Sequence, residues 1–139
     1  MLFPKKVKHR KWHTLRENPK KVGVATRGTN VSFGSHGLKA MAAFRVTANQ
    51  IEASRKAISH NLGKTGRIWI RIFPDMPYTK KPAEVKMGKG KGDIEGYYVR
   101  ILPGQILFEV DGVSETVAAE SLRKGGTKMP MKTKVVARQ

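Results

Sequence analysis

The sequence predicts an α+β fold: a two-layer sandwich with a mostly antiparallel sheet and two helices, a basic extended N-terminal arm over residues 1–30, and a flexible glycine-lysine loop over residues 78–93. Three observations predict it. A capped helical pattern follows Thr47, residues 67–73 alternate with period two, and further short β-rich runs then interleave with a second helical pattern. At 139 residues the chain has the length of one ordinary domain, with residues 31–139 as its globular part.

Residues 5–21 combine charge with Pro19 and show no apolar periodicity, so they read as an arm that is loose in solution, with order beginning near Val31. Thr47-Ala-Asn-Gln fits a capping box with Thr47 as N-cap and Gln50 at N3, and Gly63 is the stop. At 100° per residue Ile51, Ile58 and Leu62 fall within about 40° of one another, while Asn49, Lys56 and His60 point away. In residues 67–73 Ile68, Ile70 and Ile72 share one strand face and Trp69, Arg71 and Phe73 the other; that second face either packs on another layer or meets a partner, and packing is the reading taken. Pro74-Asp-Met-Pro77 ends this strand. Residues 97–102 and 106–110 form two β-rich runs around Pro103-Gly104, which reads as a hairpin. Ser114 caps a short helix through Arg123, with Val117, Ala118 and Leu122 inward and Gly125-Gly126 as terminator. Residues 131–137 add a last strand, supported by the alternation of Lys132 and Lys134. No internal repeat is visible.

Charge dominates the composition. Twenty-eight Lys and Arg against ten Asp and Glu give a net +18, which calls for a polyanionic partner. With 39% hydrophobic residues the chain retains enough apolar material to fold. The charge is uneven: residues 1–50 hold eleven Lys or Arg and one acid, Glu17, whereas residues 101–120 hold no Lys or Arg and four acids, Glu109, Asp111, Glu115 and Glu120. The molecule is expected to have two electrostatic sides. Cysteine is absent, so disulfides, thiolate metal sites and cysteine nucleophiles drop out. The longest apolar run, residues 40–44, is far below the roughly 20 residues of a membrane span. Charge at Lys5 and Lys6, without an apolar stretch, predicts no secretory signal.

The segment Lys86-Met87-Gly88-Lys89-Gly90-Lys91-Gly92 alternates glycine with lysine. Glycine lets the backbone approach a ligand closely, and compact ammonium groups suit phosphates without demanding one geometry. The alternative is a solvated hairpin tip. A nucleotide-binding phosphate loop is excluded, because no hydroxyl follows the lysine and no helix follows the loop. His9 and His13 lack further metal ligands nearby and sit beside Arg10 and Lys11. Trp12 either stacks on an exposed base or anchors the arm. Asp93 and Glu95 have no nucleophile or base to work with and are read as balancing the lysines. Ser32, Ser35 and His36 beside Gly34 and Gly37 miss the spacing of a nucleophile elbow. No catalytic residue, cofactor or metal is assigned. Arg10, Lys39, Arg45, Arg55 and Lys56 are expected on the arm and first-helix side. Roughly eight phosphate contacts of this kind would cost about a thousandfold in affinity between about 50 and 200 mM salt.

Four blocks occur in order: Asn30-Val-Ser-Phe-Gly-Ser-His-Gly-Leu-Lys-Ala40, Thr47-Ala-Asn-Gln-Ile-Glu-Ala53, Ile68-Trp-Ile-Arg-Ile-Phe-Pro-Asp75 and Lys86-Met-Gly-Lys-Gly-Lys-Gly92. With Pro103-Gly-Gln-Ile-Leu-Phe-Glu109 and Met129-Pro-Met-Lys-Thr133 they resemble the bacterial-type sixteenth large-subunit ribosomal protein family almost from end to end. The resemblance implies a non-enzymatic α/β protein of the large ribosomal subunit, cytoplasmic or in an organelle ribosome. Implied partners are large-subunit (23S-type) rRNA, tRNA and neighbouring ribosomal proteins, with no membrane and no homo-oligomer. It implies rRNA binding by Lys5, Lys6, Lys8, Arg10, Lys11, Lys39, Arg45, Arg55 and Lys56. It places Lys86, Met87, Gly88, Lys89, Gly90, Lys91 and Gly92 close to A-site tRNA near the peptidyl-transferase centre, with P-site tRNA as a further candidate.

Three departures from the family stand out. Lys86 replaces an arginine that is hydroxylated in some bacteria, so that modification is not expected. The arm between His13 and Asn30 is longer than usual and carries Glu17-Asn18-Pro19. Arg123-Lys-Gly-Gly126 replaces an alanine-rich stretch and is expected to end the last helix early. Two other classes make different predictions: a free-standing architectural nucleic-acid binder predicts stable ribosome-free protein, and a small RNA-processing enzyme predicts turnover.

Overall fold

A computed structural model describes residues 1–14 and 16–139; Leu15, inside the expected arm, lies outside the described residues. In chain order the elements are one 3-10 turn at Pro19–Lys21, β1 His36–Ala40, β2 Phe44–Thr47, α1 Ala48–Leu62, β3 Arg67–Ile70, β4 Met76–Lys80, β5 Asp93–Ile101, β6 Ile106–Asp111, α2 Glu115–Gly126 and β7 Thr133–Ala137. The strands form a four-stranded sheet, ordered β3-β6-β1-β7, and a three-stranded sheet, ordered β2-β5-β4. Every pairing is antiparallel. The expected α+β class, two helices and antiparallel pairing are present, with the strands divided between two sheets.

The two helices lie against each other and cover one face of the four-stranded sheet. Leu38 and Ile70 both stand opposite Phe108 in register, and with Ile51, Ile58, Val110, Ala118 and Leu122 they join one apolar cluster. Each fully buried side chain of this size contributes on the order of 1.5–3 kcal/mol. The capping box at the start of α1 is formed in both directions: Gln50 N donates to Thr47 Oγ1 (3.4 Å) and Thr47 N to Gln50 Oε1 (3.0 Å). Gly63 closes the helix at φ 71°, a conformation that favours glycine. Ile51, Ile58 and Leu62 are buried, and Asn49, Lys56 and His60 are exposed, as the periodicity predicts.

Several expected boundaries are corrected. The strand predicted over 67–73 ends at Ile70, although Arg71 N still donates to Leu107 O (2.9 Å). The Pro74–Pro77 stretch is not simply a terminator, because Met76 and Pro77 begin β4. β4 is an edge strand, where the missing proline N–H costs no ladder bond. The runs around Pro103-Gly104 are not a hairpin: β5 pairs with β2 and β4, β6 with β1 and β3. The turn hands the chain from one sheet to the other, with Gly104 at φ 95° and its N–H on Ala40 O (2.7 Å).

Gly125 and Gly126 do not terminate α2; they are its last two residues, so the helix runs past the expected end at Arg123. Gly125 is buried where a Cβ would overlap Ile58 Cγ1, and Ser54 Oγ donates to its carbonyl at 2.9 Å. The glycine serves helix–helix approach rather than a C-terminal turn.

The opposite face of the four-stranded sheet is crossed by residues 28–34. Ile106 N donates to Gly28 O (2.8 Å), and a Cβ on Gly37 would lie 2.8 Å from Val31 Cγ2. β6 is therefore covered on both faces, and its residues from Ile106 to Val110 are all buried. Attachment starts before the expected onset at Val31, since Ala25 N donates to Pro103 O (2.9 Å) and Leu2 packs on the core. The arm is tied down at several points.

Candidate nucleic-acid interface

The pairing Lys80↔Asp93 closes β4 on β5, so the glycine-lysine loop spans residues 81–92 rather than 78–93. Its tip is wound by three consecutive positive φ values, Gly88 104°, Lys89 56° and Gly90 99°. Only glycine accepts the outer two without strain. Lys81 Nζ donates to Gly88 O and holds this curl. The loop borders an open hollow of about 970 Å³ whose lining includes Lys81, Lys86, Lys89 and Lys91. Met87 is 91% exposed at its rim.

The arm meets the loop directly. Lys91 Nζ donates to the backbone carbonyl of Trp12 at 2.5 Å, Lys11 Nζ to the carbonyl of Lys91 at 3.5 Å, and Lys11 Nζ lies 3.8 Å from the Asp93 carboxylate. Sequence reasoning assigned Lys11 and Lys91 to separate surfaces; the fold makes them neighbours. Asp93 and Glu95 balance lysines as expected, Glu95 lying 3.9 Å from Lys80 Nζ. These are solvent-facing pairs, each contributing under about 1 kcal/mol.

The other basic candidates are dispersed. Lys5, Lys6, Lys8, Arg10 and Lys56 are exposed and Lys11 is half-buried. Arg55 makes a two-point contact with Glu52 (2.6 and 3.2 Å); this hydrogen bond holds the Glu52 carboxyl below, and the Arg55 guanidinium above, its ordinary range. Arg45 sits 5.1 Å over the Tyr98 ring, a cation–π arrangement that leaves it exposed on β2. Lys39 is not on the first-helix side: it belongs to β1 and borders a small hollow with Asn30 and Val136. Arg100, which sequence reasoning passed over, is ion-paired to Glu17.

The expected acidic flank at residues 101–120 loses its first acid to the interior. Glu109 is 0% exposed and pairs with Arg71. Its carboxylate also accepts from the backbone N–H groups of Ser32 (3.0 Å), Phe33 (2.5 Å) and Gly34 (2.8 Å). Burial alone would push this carboxyl up; the Ser32, Gly34 and Phe33 amides and the Arg71 guanidinium outweigh it and hold it below the usual carboxylate range. The turn's amides are thus occupied by an internal anion. The Ser35 Oγ and His36 Nδ1 contact (3.0 Å) therefore has no free oxyanion site beside it. Among the described residues no three His, Asp or Glu side chains group as metal ligands.

The second face of β3 packs, as expected, against protein: Phe33 stacks on Trp69 (centroids 6.4 Å, planes 19° apart) and the Arg71 guanidinium lies 5.1 Å from the Phe33 ring centre. Phe73, from the same alternating set, is 45% exposed.

The sequence profile described as ribosomal protein L16p/L10e matches residues 4–136, which takes in arm, loop and both sheets. The chain belongs to the L16p/L10e family. Among curated relatives it is 54% identical to the large ribosomal subunit protein uL16 of Maricaulis maris and 53% identical to that of Afipia carboxidovorans, each over 99% of this chain and 98% of the relative. It is 51% identical to the uL16 of Paracoccus denitrificans over 100% of this chain and 98% of that protein. Against this L16p/L10e background, sequence reasoning missed Lys81, which fixes the loop tip, and Arg71 and Glu109, which fix the turn at 32–34. The doublet Lys80-Lys81 before Pro82 was a visible signal for the first. Nothing local announces the contacts of Glu109, which reach back 38 residues to Arg71 and 77 to Ser32.

Proposed function

We propose that the chain binds large-subunit, 23S-type ribosomal RNA through Lys5, Lys6, Lys8, Arg10, Lys11, Lys39, Arg45, Arg55 and Lys56. We further propose that the loop from Lys86 to Gly92 faces A-site tRNA near the peptidyl-transferase centre, with P-site tRNA within reach. Membership in the L16p/L10e family makes the chain a structural component of the large ribosomal subunit, cytoplasmic in bacteria, and not an enzyme. The finer assignment rests chiefly on the clasp between Lys91 and the Trp12 carbonyl. It joins the strongly basic arm to the loop, so that a backbone-tracking surface and a phosphate-seeking loop become one cationic face.

Sucrose-gradient fractionation of a lysate through a high-salt wash, read by mass spectrometry, tests the coarse reading: stoichiometric recovery in the large subunit is expected. Lys89→Ala with Lys91→Ala tests the fine one. The double variant should enter subunits normally and weaken tRNA engagement. Failure to enter subunits, with tRNA unaffected in those that form, would reverse the division of labour between arm and loop.

A further inference from the structure

We infer that Phe33, backed by Trp69 and Arg71, is a stacking platform for an unpaired nucleobase of ribosomal RNA. The inference deepens the reading of the chain as an rRNA binder and rests on it. Phe33 is 57% exposed, yet it is held more firmly than an ordinary surface aromatic. Its own N–H is fixed on the buried Glu109 carboxylate at 2.5 Å. Its neighbours Ser32 and Gly34 are fixed on the same group, and a Cβ on Gly34 would lie 2.5 Å from Val110 O, so the turn is pressed onto β6.

The ring is supported by two side chains, Trp69 and Arg71. Trp69, on β3, stacks with the Phe33 ring, and the guanidinium of Arg71, one residue past the strand end, lies 5.1 Å from its centre. More than half of Phe33 nevertheless stays accessible to an incoming base. An aromatic ring fixed in advance gives up little conformational freedom on stacking. Stacking is also the interaction by which single-stranded RNA bases are commonly held, because every base has a π-face.

The surroundings favour RNA over a protein partner. No acid occurs between Glu17 and Glu52 in the sequence, while Lys20, Lys21, Arg27, Lys39 and Arg45 do. Glu109, which holds the platform's backbone, is buried and paired with Arg71. An incoming base and its phosphates therefore meet no exposed carboxylate on the turn.

The test uses the full-length chain with deproteinised large-subunit rRNA. Phe33→Ala keeps the backbone N–H that holds Glu109, and circular dichroism checks that it folds. It should weaken rRNA affinity roughly tenfold, within the range typical of losing one stacked base, without changing the slope of log affinity against log salt. Phe33→Trp should restore binding. Ultraviolet irradiation of the complex should yield a nucleotide adduct on the peptide carrying Phe33. Unchanged affinity of folded Phe33→Ala together with no adduct at that peptide overturns the platform. Unchanged rRNA affinity with impaired subunit incorporation also overturns it, and assigns Phe33 to a neighbouring protein. Absence of salt-sensitive rRNA binding by the unsubstituted chain would instead sink the broader reading.

Discussion

The partly exposed Arg71 forms an ion pair with the fully buried Glu109, and the same carboxylate gathers the amides of three successive residues at the 32–34 turn. A buried pair of this kind is hard to remove in halves. Glu109→Ala leaves a guanidinium and three N–H groups without their acceptor, and a loss of about 3–5 kcal/mol is expected. Urea unfolding of Glu109→Ala and Arg71→Met measures it. A cost under about 1 kcal/mol for Glu109→Ala would mean that water replaces the carboxylate and that the turn is not anchored this way.

The same carboxylate shapes the acid response. Glu109 ionises more readily folded than unfolded, so the native state binds fewer protons and stability rises with pH across that range. Its contribution is fully present above the unfolded carboxylate value of about 4.3 and is lost as pH falls through the lower folded value. Urea midpoints followed from about pH 7 down to about pH 3 should therefore fall on the acid side. Glu109→Gln should flatten that fall. An unaltered acid limb in the variant would transfer it to other carboxylates, Glu52 first, whose hydrogen bond to Arg55 gives it the same sign.

Gly125→Ala sets helix propensity against packing. Alanine gains at most about 1 kcal/mol over glycine in a helix, less in the last turn where Gly125 lies, and here its methyl group meets Ile58 inside the α1–α2 contact. Net destabilisation of about 1–3 kcal/mol is expected from overpacking. The double variant with Ile58→Ala should recover part of it, because Cγ1 and Cδ1, 2.4 and 2.5 Å from the new methyl group, are both gone. Strictly additive costs in a double-mutant cycle would locate the strain elsewhere.

Arm lysines should register in salt dependence. Replacing Lys5, Lys6 and Lys8 with Ala removes three exposed cations, and each lost phosphate contact lowers the slope of log affinity against log salt by about 0.7–0.9. A decrease of roughly two to three is therefore expected in filter-binding titrations with large-subunit rRNA. An unchanged slope would show that these side chains stay in solvent.

Local signals were readable and distant ones were not. Thr47, Gln50 and Gly63 bracket α1 with chemistry contained in a few residues, and that helix is where the pattern places it. The glycine-lysine loop was likewise visible, but its contact with Trp12 joins residues 79 apart in sequence. The β-rich runs that became β5 and β6 did not tell which strands they pair with, so two strands of different sheets looked like a hairpin. Prolines hid β4 because the rule against them applies to interior strands. Gly125 looked like a stop since nothing in α2 alone reveals that Ile58 occupies the space above it. Glu109 looked like a surface acid for the same reason: its partners are Arg71 and the 32–34 turn.

β1 stands between β6 and β7, and both neighbours come from the last third of the chain. During synthesis from the N-terminus the four-stranded sheet cannot close until residue 137 has been made and released from the exit tunnel. The basic arm has emerged long before. A nascent copy therefore offers its cations to polyanions while its body is still open, and native closure follows only once β7 is available.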